Sequence, residues 1–447
     1  MKWIALALFL IGAPILAAWL RTKPKQAPII WGLLTFLPFV LGPWHLIVAP
    51  HSTPLWSGYV KGWEVSLLDA IAVGVIFGTR ERWPKLILLI PFLAYLVAAI
   101  LAVFQARFPN LALSYPIQLA RVGLVFLAVA RAVMQERGER AVLTGLILGL
   151  TLQAGYAIVA RAGGALQTGG SLGHQNMLGF VSHMALMPAF AMLLSGRRQG
   201  VALLGVLAGV VVVILTASRA TIVLAGFGLA LTLLVSVALR FTGRKAMVAV
   251  FGVLLLAGSF PFARASLERR LSAQGSTFLA EDNQRVAFEQ AARDMMSSKP
   301  FGVGPNHYVF VANTEGYSAR AGVNFAMGNR SANVHNSYLL VGAETGYPGL
   351  LAMVILLGCA IWYAFSNAIR YRRDPSADIL VGVGCGLVAM SLHGLLEWMF
   401  VVYPTEYLFA GSLGLIAGIR GRLVATSAGK HQTRPVNARR VELVPAS

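Results

Sequence analysis

Apolar runs long enough to cross a bilayer recur along the whole chain, separated by short polar breaks and once by a long one. A spanning helix needs about 20 mostly apolar residues, because main-chain groups in hydrocarbon must be satisfied within the segment. Such runs lie near residues 3–20, 27–42, 65–79, 85–105, 111–134, 141–160, 176–195, 200–217, 220–239, 246–262, 338–366, 377–398 and 405–419. The pattern predicts an all-α polytopic membrane protein with 12 or 13 transmembrane helices, the count turning on whether the first and last short segments fully cross. The first run follows Met1-Lys2-Trp3 and also has the character of a signal peptide, although no clean small-x-small cleavage site follows it.

The long break divides the chain into N-terminal transmembrane helices (1–262), a large loop (263–337), C-terminal transmembrane helices (338–420) and a polar, basic tail (421–447) expected to be disordered. The loop carries its own helical pattern. Glu281-Asp282-Asn283-Gln284-Arg285 can start a helix, with Val286, Phe288, Ala291, Ala292 and Met295 as an apolar stripe. Gly302, Gly304 and Pro305 end it, and a second break at Gly328-Asn329-Arg330-Ser331 leads to Asn333-Val334-His335-Asn336-Ser337 at the next membrane boundary.

Composition agrees with this reading: 57% of the 447 residues are hydrophobic, 12% are charged, and the mean hydropathy is +0.70. The net charge of +20, with a pI near 10.6, would point to nucleic acid in a soluble chain. Here the basic residues cluster between apolar runs, at Arg21, Lys23 and Lys25; Arg80, Arg82 and Lys85; Arg137 and Arg140; Arg197 and Arg198; Arg240, Arg244 and Lys245; Arg370, Arg372 and Arg373; and in the tail after Arg420. That is the positive-inside pattern, and it indicates membrane lipids and no nucleic acid as partners. It puts these clusters in the cytoplasm and 43–64, 162–175, 263–337, 399–404 and the turn at Arg219 outside. Cys359 and Cys385 lie within apolar runs and give neither a disulfide framework nor a metal site.

Few residues can carry chemistry. Arg219 interrupts an apolar run from 200 to 239, which as one helix would extend about 60 Å, twice the hydrocarbon thickness. The run must therefore fold back near Ser218-Arg219. An arginine there can snorkel to headgroup phosphate, but no other charge, Gly or Pro explains the turn, which favours a ligand role. Arg285 opens the loop helix; a guanidinium fork suits a pyrophosphate. The loop as a whole is not a basic patch, since its eight basic residues face six acidic ones.

His335 is the candidate general base, because an imidazole can take a proton from a hydroxyl near neutral pH. It ends the only large external loop, flanked by Asn333, Asn336, Ser337 and Tyr338. Glu344, nine residues on, is half a turn out of phase and should pair with a cation on a neighbouring span instead. Arg121, inside the run 111–134, needs a partner, for which Asp69 and Glu344 are candidates; a structural ion pair and a ligand role stand level. His174, Gln175 and Asn176 fill an external loop, and His393 and Glu397 lie near another external helix end, either lining the same cavity or simply ending their helices. Gly342, Gly346 and Gly349 read as close helix packing. No P-loop, paired-Asp metal motif or His-Glu-x-x-His is present.

The tight Ser218-Arg219 turn, the late external loop, and His335-Asn336-Ser337-Tyr338-Leu339 leading to Glu344-Thr345-Gly346-Tyr347-Pro348-Gly349 together resemble the O-antigen ligase and polymerase superfamily of bacterial envelope glycosyltransferases. The resemblance covers most of 110–420. Phe301-Gly302-Val303-Gly304-Pro305-Asn306 matches the family's Gly-x-Gly stretch, and Arg285 followed by Phe288 and Ala291 is similar to its Arg-aromatic-small pattern, with Phe288 where Trp is commoner. The family implies a GT-C-like fold in the inner membrane. It also implies transfer of a glycan from undecaprenyl pyrophosphate, on the periplasmic face, to an acceptor hydroxyl, which in the ligase branch belongs to the lipid A core. By motif, His335 would be the base and Arg219 and Arg285 would hold the pyrophosphate. Arg121, His174, Asn336 and Tyr338 are further candidates for substrate contact. The implied reaction inverts the anomeric centre and needs neither metal nor cofactor.

Within the superfamily, an O-antigen polymerase or a protein O-oligosaccharyltransferase shares the donor chemistry and differs in acceptor. The short tail after Arg420 and the arginine pattern favour the ligase. A transporter using Arg121, Asp69, His393 and Glu397 is the reading from another class; such proteins commonly show two related halves, and no convincing repeat occurs here.

Overall fold

The structure, a computed structural model, describes residues 2–79, 83–274 and 277–432. Arg80 and Arg82 of the second basic cluster, and the tail beyond 432, lie outside the described residues. Helices α1 (Lys2–Thr22) and α2 (Ala27–Phe36) are followed by a hairpin of β1 (Ile47–Ser52) and β2 (Gly62–Ser66), then by α3 (Leu67–Gly78), α4 (Leu89–Ala102), the single turn α5 (Pro109–Ala112), α6 (Ser114–Met134) and α7 (Gly138–Ala162). Next come α8 (Gln175–Ser195), α9 (Gln199–Leu215), α10 (Arg219–Leu239) and α11 (Gly243–Gln274). The long loop contributes α12 (Thr277–Ser298), α13 (Tyr308–Thr314) and the single turns α14 (Tyr317–Arg320) and α15 (Met327–Arg330). Helices α16 (Ser337–Arg370), α17 (Ser376–His393) and α18 (Tyr403–Gln432) complete the bundle.

Every predicted apolar run contains a helix. Among the described residues nine are long and apolar enough to cross a membrane and four shorter apolar ones accompany them, so the chain is an all-α polytopic membrane protein. Helices α8, α17, α6 and α18 form the centre, with α18 packed along α6 and α17 along α8. Within its apolar window α8 is 89% buried and α11 only 6%, which makes α11 a lipid-facing helix at the edge. Opposite the loop face, the buried carboxylate of Glu139 gathers Arg197, Arg422 and Ser376, tying together the ends of four helices.

Several boundaries differ from the sequence expectation. Helix α11 does not stop at residue 262; its 32 residues reach about 48 Å, well beyond the hydrocarbon, so the first part of the expected loop is a protruding helix. Helix α12 starts at Thr277, ahead of the Glu281–Arg285 run. Val286 is 68% exposed, two positions off the stripe of Phe288, Ala291, Ala292 and Met295 that is buried. The break at 328–331 is a helical turn, and α17 ends at His393 rather than 398, leaving Glu397 in a turn. The hairpin was not expected; its strands pair Val48 with Val65 and His51 with Trp63 across a bulge.

Two glycine motifs join the loop to α16. Gly346 breaks the helix with φ +69°, and its neighbour Tyr347 donates its main-chain N–H to Pro300 at 2.9 Å. In return Val303 and Gly304 donate to the carbonyls of Ala343 and Glu344 at 3.0 and 2.9 Å. Gly346 is a break of the backbone and also a close-packing residue, as expected, though against the loop instead of another helix: a Cβ there would stand 2.4 Å from the Pro300 carbonyl oxygen. At Gly302, φ is +86° and a Cβ would stand 2.3 Å from the Glu344 carbonyl oxygen. Gly302→Ala is expected to destabilise the fold by about 1–3 kcal/mol, read as a lower thermal midpoint in detergent. Gly328→Ala, with open space around the new methyl, should leave that midpoint unchanged or raised.

Candidate active site

Three distant segments converge on the carboxylate of Glu397, which is 3% exposed. Its Oε2 lies 3.1 Å from His335 Nδ1; its Oε1 accepts from Arg285 Nη2 at 3.1 Å and from Asn176 Nδ2 at 2.5 Å. Arg285 Nη1 adds a bond to the Leu396 carbonyl at 3.3 Å.

The local sequence explains why each group is held. The buried stripe of α12 packs on α16 and sets Arg285 above the turn, with the Phe288 ring 6.3 Å from that of His335. Asn336 caps α16, its Oδ1 accepting from the N–H groups of Tyr338 and Leu339 at 3.0 and 3.1 Å. Ser337 ties the same helix start to the Glu397 turn: its N–H donates to Gly394 and Glu397 carbonyls, and its hydroxyl to the Glu397 carbonyl at 2.6 Å. His174 caps α8, Nδ1 accepting the N–H of Asn176 at 3.2 Å, which leaves the proton of the neutral ring on Nε2.

Electrostatics follow from these contacts. Burial alone would raise the Glu397 carboxyl, but the hydrogen bond and charge of His335, then the charges of Arg285 and His393, hold it below the ordinary carboxylate range. An ionised Glu397 accepts Nδ1–H of His335 and so leaves Nε2 with a lone pair, the arrangement of a base oriented by an acid. Burial pushes His174 down, Glu397 partly offsets that, and the neighbouring His335 reinforces it.

Of the sequence candidates, His335, Arg285 and His174 meet around Glu397. Arg219 opens α10 with an exposed side chain at the same end of the bundle. Two residues on, Thr221 packs so closely on α8 that a Cβ at Gly179 would come 2.0 Å from its hydroxyl. The fold-back is real: Ala217 takes φ +48°, its carbonyl accepting from Arg270 at 3.1 Å.

Three candidates are engaged elsewhere. Asn336 serves as the helix cap, and the Tyr338 hydroxyl donates to the Ser391 carbonyl at 2.9 Å, fixing α16 to α17. Arg121 forms a buried structural pair with Asp69 at 2.8 Å and lies 3.5 Å from Glu64. Glu344 meets no cation among the described residues. Its carboxylate accepts from the main chain of Asn306 and Tyr308 at 2.8 and 2.9 Å and from the Tyr59 hydroxyl at 2.7 Å, because the glycine loop turns its N–H groups inward there. His393 bonds to buried His183 at 3.1 Å instead of lining the site. For Glu397 and Asn176 the sequence offered two readings, one shared cavity or simple polar helix ends; the bond between them supports the first.

A sequence profile described as O-antigen ligase matches residues 204–354, a stretch holding Arg219, Arg285, His335 and Glu344 but ending before Glu397. The chain is also similar to the exopolysaccharide production protein ExoQ of Rhizobium meliloti (strain 1021), with 25% identity over 314 residues, covering 65% of this chain and 68% of the relative. These matches make the chain similar to the O-antigen ligase and polymerase superfamily, through the profile over residues 204–354 and the relative over 65% of its length.

Proposed function

We propose that this protein transfers a glycan from undecaprenyl pyrophosphate to an acceptor hydroxyl on the periplasmic side of the bacterial inner membrane, the acceptor being a sugar of the lipid A core. The observation that carries the reading is the single carboxylate, Glu397, that holds a base and a guanidinium together.

In this mechanism His335 Nε2 takes the proton of the acceptor hydroxyl as its oxygen attacks the anomeric carbon. The bond to the pyrophosphate oxygen breaks on the opposite face, so the configuration inverts and the electron pair leaves with the pyrophosphate. Arg285 uses two of its five N–H donors for anchoring, which leaves three for phosphate oxygens. With Arg219 it offsets the charge building on the leaving group, an effect worth about 3–4 kcal/mol per well-placed donor. Guanidinium groups supply the positive charge, and the reaction needs no divalent metal. The Nε2–H of His174 is a further donor at the same carboxylate cluster.

The likeness to an exopolysaccharide production protein favours a second reading, in which the acceptor is another lipid-linked glycan and the product a longer polymer. Purified protein in proteoliposomes, given undecaprenyl-linked glycan with lipid A core or with more donor alone, distinguishes the two by product mass. Glycan on lipid A core is the expected result. Extension of donor alone supports the polymerase, and no transfer to either acceptor overturns the enzyme reading.

A further inference from the structure

We infer that the basic face of the bundle carries a site for an anionic phospholipid whose headgroup bears two phosphates. The loop from α10 into α11 lies against the turn between α16 and α17, and adjoining crevices of about 330 and 370 Å³ open between them. Arg240 and Arg372 line both, Arg244 the first and Arg373 the second. A third crevice, about 490 Å³, extends from Arg372 and Arg373 to the end of α18 at Leu423.

The two carboxylates present are engaged within the protein. Asp378 Oδ1 accepts from Lys245 Nζ at 2.9 Å and from the Ser236 hydroxyl at 2.6 Å, while Asp374 Oδ1 accepts the Ser376 N–H at 2.8 Å. The buried Lys245 ammonium also donates to the carbonyls of Ser236 and Arg240 at 2.8 and 3.0 Å. This core fixes the loop to the start of α17. Among the described residues, Arg240, Arg372 and Arg373 form no ion pair.

A positive-inside excess alone requires neither concavity nor a fixed loop. Guanidinium groups gathered in one crevice repel one another unless an anion lies among them, and each matches phosphate oxygens in a bidentate fork. The crevices sit among the ends of four apolar helices, with Leu239 lining one of them, and a bilayer crossed by those helices would place its lipid phosphates at such ends. Basic pockets so placed between helices on the cytoplasmic side take headgroups of this class. Four arginines over two joined crevices fit two phosphates on one headgroup better than one.

The test is native mass spectrometry of the full chain in detergent, titrated with cardiolipin, phosphatidylglycerol or phosphatidylcholine. Cardiolipin should be retained at activation energies that strip the other two. Arg372→Gln, at a residue lining all three crevices, should weaken retention about fivefold, and the triple variant Arg240→Gln/Arg372→Gln/Arg373→Gln should reduce it to the phosphatidylcholine level. Lys25→Gln, exposed on the same face outside the crevices, should leave it unchanged. All three arginines are exposed, and an unchanged thermal midpoint checks that the triple variant folds; Arg372→Gln carries the test if it does not. Equal cardiolipin retention in the variants, or equal retention of phosphatidylcholine, would overturn the proposal. So would complete displacement by equimolar inorganic pyrophosphate, which would assign the crevices to a soluble diphosphate.

Discussion

In a His335→Ala variant, glycan transfer is expected to fall at least about a hundredfold, while binding of the lipid-linked donor should stay close to that of the parent protein. The separation of the two effects is the informative part. Arg285 reaches Glu397 and the Leu396 carbonyl without His335, so the guanidinium remains in place when the imidazole is removed. The helix start is also retained, because Asn336 and Ser337 hold it through their own bonds. The lost rate is then the loss of a proton acceptor at the attacking oxygen. Single-turnover transfer and donor binding, measured on the same preparation, check this; normal transfer would remove His335 from the role.

A Glu397→Gln variant should lose roughly a hundredfold in transfer and weaken donor binding as well. A neutral amide cannot balance Arg285 and orient His335 together: with its oxygen toward Arg285 and Asn176, its NH₂ group faces His335 Nδ1 and forces the ring proton onto Nε2, where the base needs a lone pair. Glu397→Asp, which keeps the charge on a shorter arm, should recover part of kcat more than it restores KM. A merely structural Glu397 would move the thermal midpoint in both variants and leave kcat per folded molecule unchanged.

The spans were legible in the sequence because hydrocarbon imposes a long apolar run on every helix that crosses it, whatever its neighbours. His335 was legible because it ends the long loop among Asn333, Asn336 and Ser337, and Arg285 because it opens the loop helix. Glu397 was named as a possible cavity residue, but its role as the shared partner was not legible, since the contacts that give it meaning join residues 62, 112 and 221 positions apart, and no local pattern encodes that. The same limit misassigned Glu344. Its distance from His335 along the helix was correctly read, but its partners are main-chain N–H groups, which carry no residue identity to search for. Gly346 lay within a run that reads as one helix, and only its positive φ reveals the break.

Glu397 is supplied by the turn between the last two helices of the bundle, so its position in the chain sets an order for biosynthesis. His335 is synthesised 62 residues earlier. At about 5–20 residues per second the ribosome takes roughly 3–12 seconds to cover that interval. During it the imidazole and the arginine are already made, yet the group that aligns them has not been translated. A nascent or prematurely terminated chain ending before residue 397 carries the parts of the site without its assembly. On the function proposed above, transfer activity would be a readout of completed membrane insertion, and incomplete copies would stay silent toward a lipid-linked glycan.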